Sequence, residues 1–248
     1  MRELYNVFSD WKMLAPALFI LVNSATPGMG SASFYFYTNE LKIDKEWMAI
    51  LSTVDSIAGL GGMALYYTFF TKYGPKSILF YGTILVTLIC SSQLLLYSHA
   101  NRAIGIPDVT FLFMDDVILI TMGQVLFVPM FTLIAMLCPK GLEGTVFCVY
   151  TALMNGGAQL SVLFSAMLMD VFGITAQNFD NIVSMRIVTL FMQLIPCLLI
   201  FLIPSDDEMK AMLEERKQAD ALAMLATREA NSGQGVEAEG PFDSPVDS

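Results

Sequence analysis

Between residues 12 and 204, apolar stretches alternate with short polar breaks. Each stretch has the roughly 20 residues a helix needs to cross a hydrocarbon layer about 30 Å thick. Six of them centre near Ile20, Ala58, Leu85, Leu126, Leu160 and Leu194. The breaks, KIDKEW, TKYGPKS, SHANRAIGIPD, CPKGLEG and GITAQNFDN, collect charge, glycine and proline. They are short, so successive helices are expected to run antiparallel. The expected fold is all-α and integral to the membrane. It has a short N-terminal segment over 1–11, a six-helix transmembrane domain over 12–204 and an acidic tail over 205–248. The first stretch lacks the compact basic region and cleavage site of a signal peptide and is followed by further spans, so it reads as a retained helix. Residues 12–204 leave no room for a folded soluble domain.

Composition agrees: 55% of residues are apolar, 15% are charged and the mean hydropathy is +0.60. Charge is unevenly spread. Eleven acids and four bases fall in residues 205–248, so −7 of the net −10 belongs to the tail. Met209, Met212, Leu213, Leu222 and Leu225 give the tail's first part helical spacing, and NSGQGVEAEGPFDSPVDS reads as a disordered end. Its acidity argues against nucleic acid and anionic lipid as partners. Eight Lys and Arg (Arg2, Lys12, Lys72, Lys76, Lys140, Lys210, Arg216, Lys217) fall on the side of the two termini. Four (Lys42, Lys45, Arg102, Arg186) fall opposite, which predicts cytoplasmic termini in an unspecified membrane. One histidine, His99, is too few for a multi-histidine metal or haem enzyme, and Cys90, Cys138, Cys148 and Cys197 lack metal-ligand spacing. No enzyme, metal or cofactor is expected.

An ionised side chain at the centre of a membrane helix costs about 2.5–3.5 kcal/mol even on a mild insertion scale, so each one within a span calls for a reason. In the second span Ser52, Asp55, Ser56 and Gly59 share one helical face. Small residues there suit close helix packing. Packing has no use for a carboxylate, and Asp55 suits a cavity wall or a proton carrier. In the fourth span Asp116, Gly123 and Gln124 share a face, with Asp115 about 100° away. In the fifth, Cys148, Ala152, Asn155 and Gln159 form a stripe that could glue helices or meet a ligand. Arg186, one turn into the sixth, could meet an anion, but snorkelling to the surface is the favoured expectation. TPGMG, with Pro27 and Gly28, and later Pro129 should bend or break the first and fourth helices. Such breaks at corresponding places in two inverted triplets point to a substrate site.

The stretch SASFYFYTNELK puts Phe34, Tyr35, Phe36 and Tyr37 in a row where the first span should reach the interface. An aromatic belt accounts for one or two rings. Adjacent helical residues diverge by about 100°, so four cannot all face lipid and some must turn into the bundle. Inward rings beside Asn39 suit stacking on a flat nitrogen heterocycle.

FYFYTNELK, ANRAIGIPD, the Asp115 region, LCPKGLEGTVF and ALMNGGAQLS together resemble the C-terminal half of the folate-biopterin transporter family, a branch of the major facilitator superfamily. FFTKYGPKS resembles a worn form of that superfamily's basic, glycine-containing signature. The resemblance covers nearly all of 14–204 and implies proton-coupled transport of folates or pterins by alternating access. Matching positions include Tyr37, Asn39, Glu40, Pro107, Asp108, Asp115, Gln124, Glu143, Thr145 and Asn155. Residues and resemblance together predict Tyr35, Tyr37, Asn39, Gln124, Asn155 and Gln159 at the substrate. Asp55, Asp115 and Asp116 are the expected proton carriers, and Pro27, Gly28, Glu40, Pro129 and Glu143 the conformational positions. Where relatives often have a second acid in the fourth span, this chain has Ile120. Such transporters have twelve helices, which predicts a partner six-helix half; the alternative is a truncated or non-transporting subunit.

Overall fold

A computed structural model describes residues 11–138 and 142–211, with 213–215, 218, 222 and 224 beyond them. The expected 1–11 segment and most of the expected amphipathic and disordered tail lie outside the described residues. The chain divides after Asp206 into two units. In the second, Lys210 Nζ lies 3.8 Å from Asp207 Oδ1.

Among the described residues there is no strand, and six helical segments are long and apolar enough to cross a membrane. They are span 1 (Met13–Glu40), span 2 (Lys45–Phe70), span 3 (Pro75–Tyr97), span 4 (Asp108–Leu137), span 5 (Glu143–Val171) and span 6 (Ile182–Leu202). Span 1 packs most extensively on span 5, span 2 on span 4, and span 3 on the other side of span 4.

Small residues set these contacts. A β-carbon on Gly62 of span 2 would lie 2.4 Å from the Thr121 carbonyl oxygen of span 4, and one on Gly157 would lie 2.6 Å from Ser24 Cβ of span 1. Both glycines permit backbone approach that a side chain would prevent.

Breaks in the spans are satisfied by side chains of neighbouring helices. Span 1's helix stops at Ala25 and restarts at Gly30. Ser161 Oγ donates to the Thr26 carbonyl at 2.7 Å, and Gly28 N–H donates to Ser165 Oγ at 3.1 Å. Gly157, Ser161 and Ser165, four residues apart along span 5, thus form a seam that packs on and mends the broken backbone. Pro129, by contrast, lies inside a continuous helix from Asp108 to Leu137, so the fourth span is not interrupted. A proline there removes one donor, the one that would serve the Val125 carbonyl, and the rest of the helix holds. Spans 3 and 6 are irregular where no interruption was expected. Span 3 divides between Cys90 and Gln93, and span 6 passes from Ile182–Gln193 through Ile195–Leu198 to a 3-10 turn at Ile200–Leu202. Spans 1 and 2 both end in a π turn, Phe36–Glu40 and Tyr66–Phe70.

On the side where spans 2 and 3 connect, Gly74 precedes Pro75 at the start of span 3's helix. The Asp206 carboxylate covers this helix end, accepting from Lys76 N–H at 3.0 Å, Ser77 N–H at 3.2 Å and the Ser77 hydroxyl. Lys76 Nζ donates to the Ile203 carbonyl at 2.7 Å. Gly74 is required, because a β-carbon there would fall 1.9 Å from Asp206 Cγ. An acid supplied from the end of span 6 therefore caps span 3 and opposes its dipole. Asp206→Ala is expected to remove about 0.5–2 kcal/mol, lowering the melting temperature of the detergent-purified protein by a few degrees. An unchanged melting temperature would show that the cap contributes nothing.

Candidate functional site

The row of four rings divides. Phe34 and Tyr35 face outward, 53% and 36% exposed, whereas Phe36 and Tyr37 are buried. Phe36 packs edge-on against Tyr97 and Phe179. Tyr37 turns into a polar cavity of about 560 Å³ between spans 1, 3, 4 and 6, whose wall includes Ser33, Gln93, Asp116, Arg186 and Gln193. Tyr97 closes a hydroxyl cluster beside it, with its oxygen 2.7 Å from Ser33 Oγ and 3.5 Å from the Tyr37 hydroxyl.

The break in span 3 makes the cavity polar. Leu94 N–H turns to the Ser91 carbonyl, and Arg186 Nη2 donates to the Cys90 carbonyl at 3.0 Å. At the same break the Ser92 hydroxyl donates to the buried Asp115 carboxylate, to which the Gln93 side chain also bonds. Asp115 is thus held by span 3, while Asp116 points into the cavity. Asp116 lies within electrostatic reach of both Asp115 and Asp55 of span 2. Asp55 is half-buried, and its Oδ1 has no hydrogen-bond partner.

The remaining predicted residues lie elsewhere. Gln124 packs on Gly59 and Gly62 at the span 2–span 4 contact. Asn39 is exposed and donates to the Ala176 carbonyl at 2.8 Å, tying span 1 to the turn before span 6. Glu40 lies 4.0 Å from His99 Nε2. Asp108, at the start of span 4, takes Arg102 Nη2 at 2.6 Å and Asn101 Nδ2 at 2.7 Å, which accounts for the ANRAIGIPD stretch as a folded turn. Glu143 stands in the first turn of span 5's helix. Cys148, Ala152, Asn155 and Gln159 are all exposed on the outer surface of span 5. Ser52 and Ser56 are likewise exposed on span 2.

Sequence reasoning passed over Ser33, Tyr97, Gln93 and Gln193, and it favoured the wrong place for Arg186. The guanidinium is 6% exposed and lines the cavity instead of snorkelling, because the broken helix of span 3 offers it a carbonyl within the bundle. The SS pair at 91–92 was the available signal for that break.

Fold and cavity together define a multi-pass helical membrane protein with a polar chamber among its spans. The profile of the BT1 family matches residues 1–223, and the chain belongs to that family. It is 36% identical over 209 residues to the "Folate-biopterin transporter" of Synechocystis, a match covering 84% of this chain and 42% of that protein. It is 28% identical to "Folate transporter 1" of Plasmodium falciparum, over 78% of this chain and 38% of that one. To "Probable folate-biopterin transporter 4" of Arabidopsis thaliana it is 26% identical, over 77% and 39%. The chain spans less than half the length of these relatives. No solved structure matches it.

Proposed function

We propose that the chain is one six-helix half of a folate or pterin transporter, corresponding to the C-terminal half of its longer relatives. In this reading it pairs with a second six-helix half, same or different, and transports by proton-coupled alternating access with both termini cytoplasmic. The observation that carries the reading is the distribution of polar groups. Tyr37, Asp116 and Arg186 stand in an internal cavity, while the polar stripes of spans 2 and 5 face outward, where only another protein surface would satisfy them. Pairing of the spans supports a major facilitator architecture. If spans 1–3 and 4–6 are inverted triplets, the contact of 1 with 5 exchanges with that of 4 with 2, and these are the two most extensive contacts.

Cys148 tests the assembly without a substitution, since it is the exposed cysteine among the described residues and lies on the span 5 stripe. A bis-maleimide added to native membranes should trap the chain with a second six-helix unit, read as a band of roughly doubled mass. Folate or biopterin uptake should accompany the paired species. A strictly monomeric chain that still transports would contradict the pairing. Paired chains that move neither substrate would instead favour the non-transporting subunit, a reading its partial coverage of longer relatives supports.

A further inference from the structure

Arg186 is a buried cation without an anion. Its exposure is 6%, and among the described residues no carboxylate stands within 4.0 Å of it. Nη2 is used by the Cys90 carbonyl, while Nε is buried and has no hydrogen-bond partner. The nearest balancing charge, Asp115, acts on it only through space, since that carboxylate bonds Ser92 and Gln93. A guanidinium presents its donors as a planar fork that fits the two oxygens of a carboxylate or phosphate, and leaving one unpaired inside a protein is strongly unfavourable. The cavity beside it has room for a ligand of drug-like size.

We infer that Arg186 is the site at which the chamber receives an organic carboxylate, with its guanidinium fork bonding the two oxygens of a substrate acid group. This deepens the proposed function, on which it rests, by dividing the two substrate classes. A folate carries carboxylates at the end opposite its ring; a biopterin carries the ring alone. The fork therefore selects for the acid-bearing class, while Tyr37 and the Tyr97–Ser33 hydroxyls serve the ring that both classes share. Gln93 and Gln193, also in the wall, are placed to bond the flanks of a bound molecule.

The measurement is competition in the assembled transporter, reconstituted in vesicles, with uptake of radiolabelled folate and of biopterin recorded in parallel. Losing a charge-assisted bidentate contact is expected to lower apparent folate affinity about ten- to a hundredfold in Arg186→Gln. The folate-to-biopterin uptake ratio should fall by at least about tenfold. p-Aminobenzoylglutamate, which has the carboxylates and no pterin ring, should inhibit the wild type and lose its potency against Arg186→Gln. Arg186→Lys should fall between, keeping the charge and losing the fork. Equal loss of both substrates in Arg186→Gln, with p-aminobenzoylglutamate inert against the wild type, would make Arg186 a structural residue and overturn the inference. If Arg186→Gln fails to fold, the wild-type inhibition by p-aminobenzoylglutamate decides alone: none overturns it. A wild type that moves neither folate nor biopterin is a failure of the transport reading itself, recognised before any variant is made.

Discussion

Asp116→Asn in the assembled transporter is expected to reduce folate accumulation about 50-fold at an inside-negative potential of 100 mV. Each elementary charge moved against that potential meets about 2.3 kcal/mol, and every 1.4 kcal/mol is a factor of about ten. A folate dianion entering such a compartment therefore needs protons to travel with it. The acids that face one another across spans 2 and 4 are placed to carry them, because Asp116 opens on the cavity and Asp55 lies within electrostatic reach with one oxygen unpartnered. Asparagine holds no transferable proton, so accumulation should fall while exchange of internal for external substrate, which moves no net charge, continues. Asp55→Asn and Asp115→Asn are the companion variants. Wild-type dependence of uptake on the pH gradient in all three would remove these acids from coupling.

Gly62→Leu should be the most damaging single change to the fold. The atom in the way of a new β-carbon is the Thr121 carbonyl oxygen, 2.4 Å from it, with Gln124 Cβ at 2.8 Å. Backbone cannot swing aside as a side chain can, so spans 2 and 4 would have to separate. Overpacking of a rigid site costs about 1–3 kcal/mol and sometimes more. The expected result is loss of the monodisperse peak on size exclusion in mild detergent, with Gly61→Leu as the control, because no atom lies within 4 Å of a β-carbon there. A monodisperse Gly62→Leu protein with an unchanged melting temperature would refute the close contact.

Much of the fold was legible because hydropathy and length are properties of a segment on its own, and so was the splitting of Phe34 to Tyr37, which follows from helical geometry alone. What each helix faces is a property of the pair. The stripe of Cys148, Asn155 and Gln159 is as regular as that of Gly157, Ser161 and Ser165, yet the first is exposed and the second is buried against span 1. Periodicity cannot choose between two such faces. Proline was a similar case. Pro27 sits among residues that Ser161 and Ser165 serve from span 5, whereas Pro129 sits in a helix that runs on unbroken, and only the neighbours distinguish them. Arg186 was misjudged because a cation one turn from a helix end has a short route to water, and its rival partner, the Cys90 carbonyl, exists only after span 3 has divided.

The π turn at Phe36–Glu40 makes the end of span 1 sensitive to the number of its residues as well as to their kind. A π turn holds one residue more than the α turn it replaces. Removing any one of the five would let the helix close normally and rotate everything after it by about 100°. The inward rings would keep their places only at the expense of Asn39 and Glu40, which would swing away from the Ala176 carbonyl and from His99. In the sequence history of this segment, single-residue insertions and deletions are therefore the events that disconnect the chamber wall from its outer latch, even where every remaining side chain is unchanged.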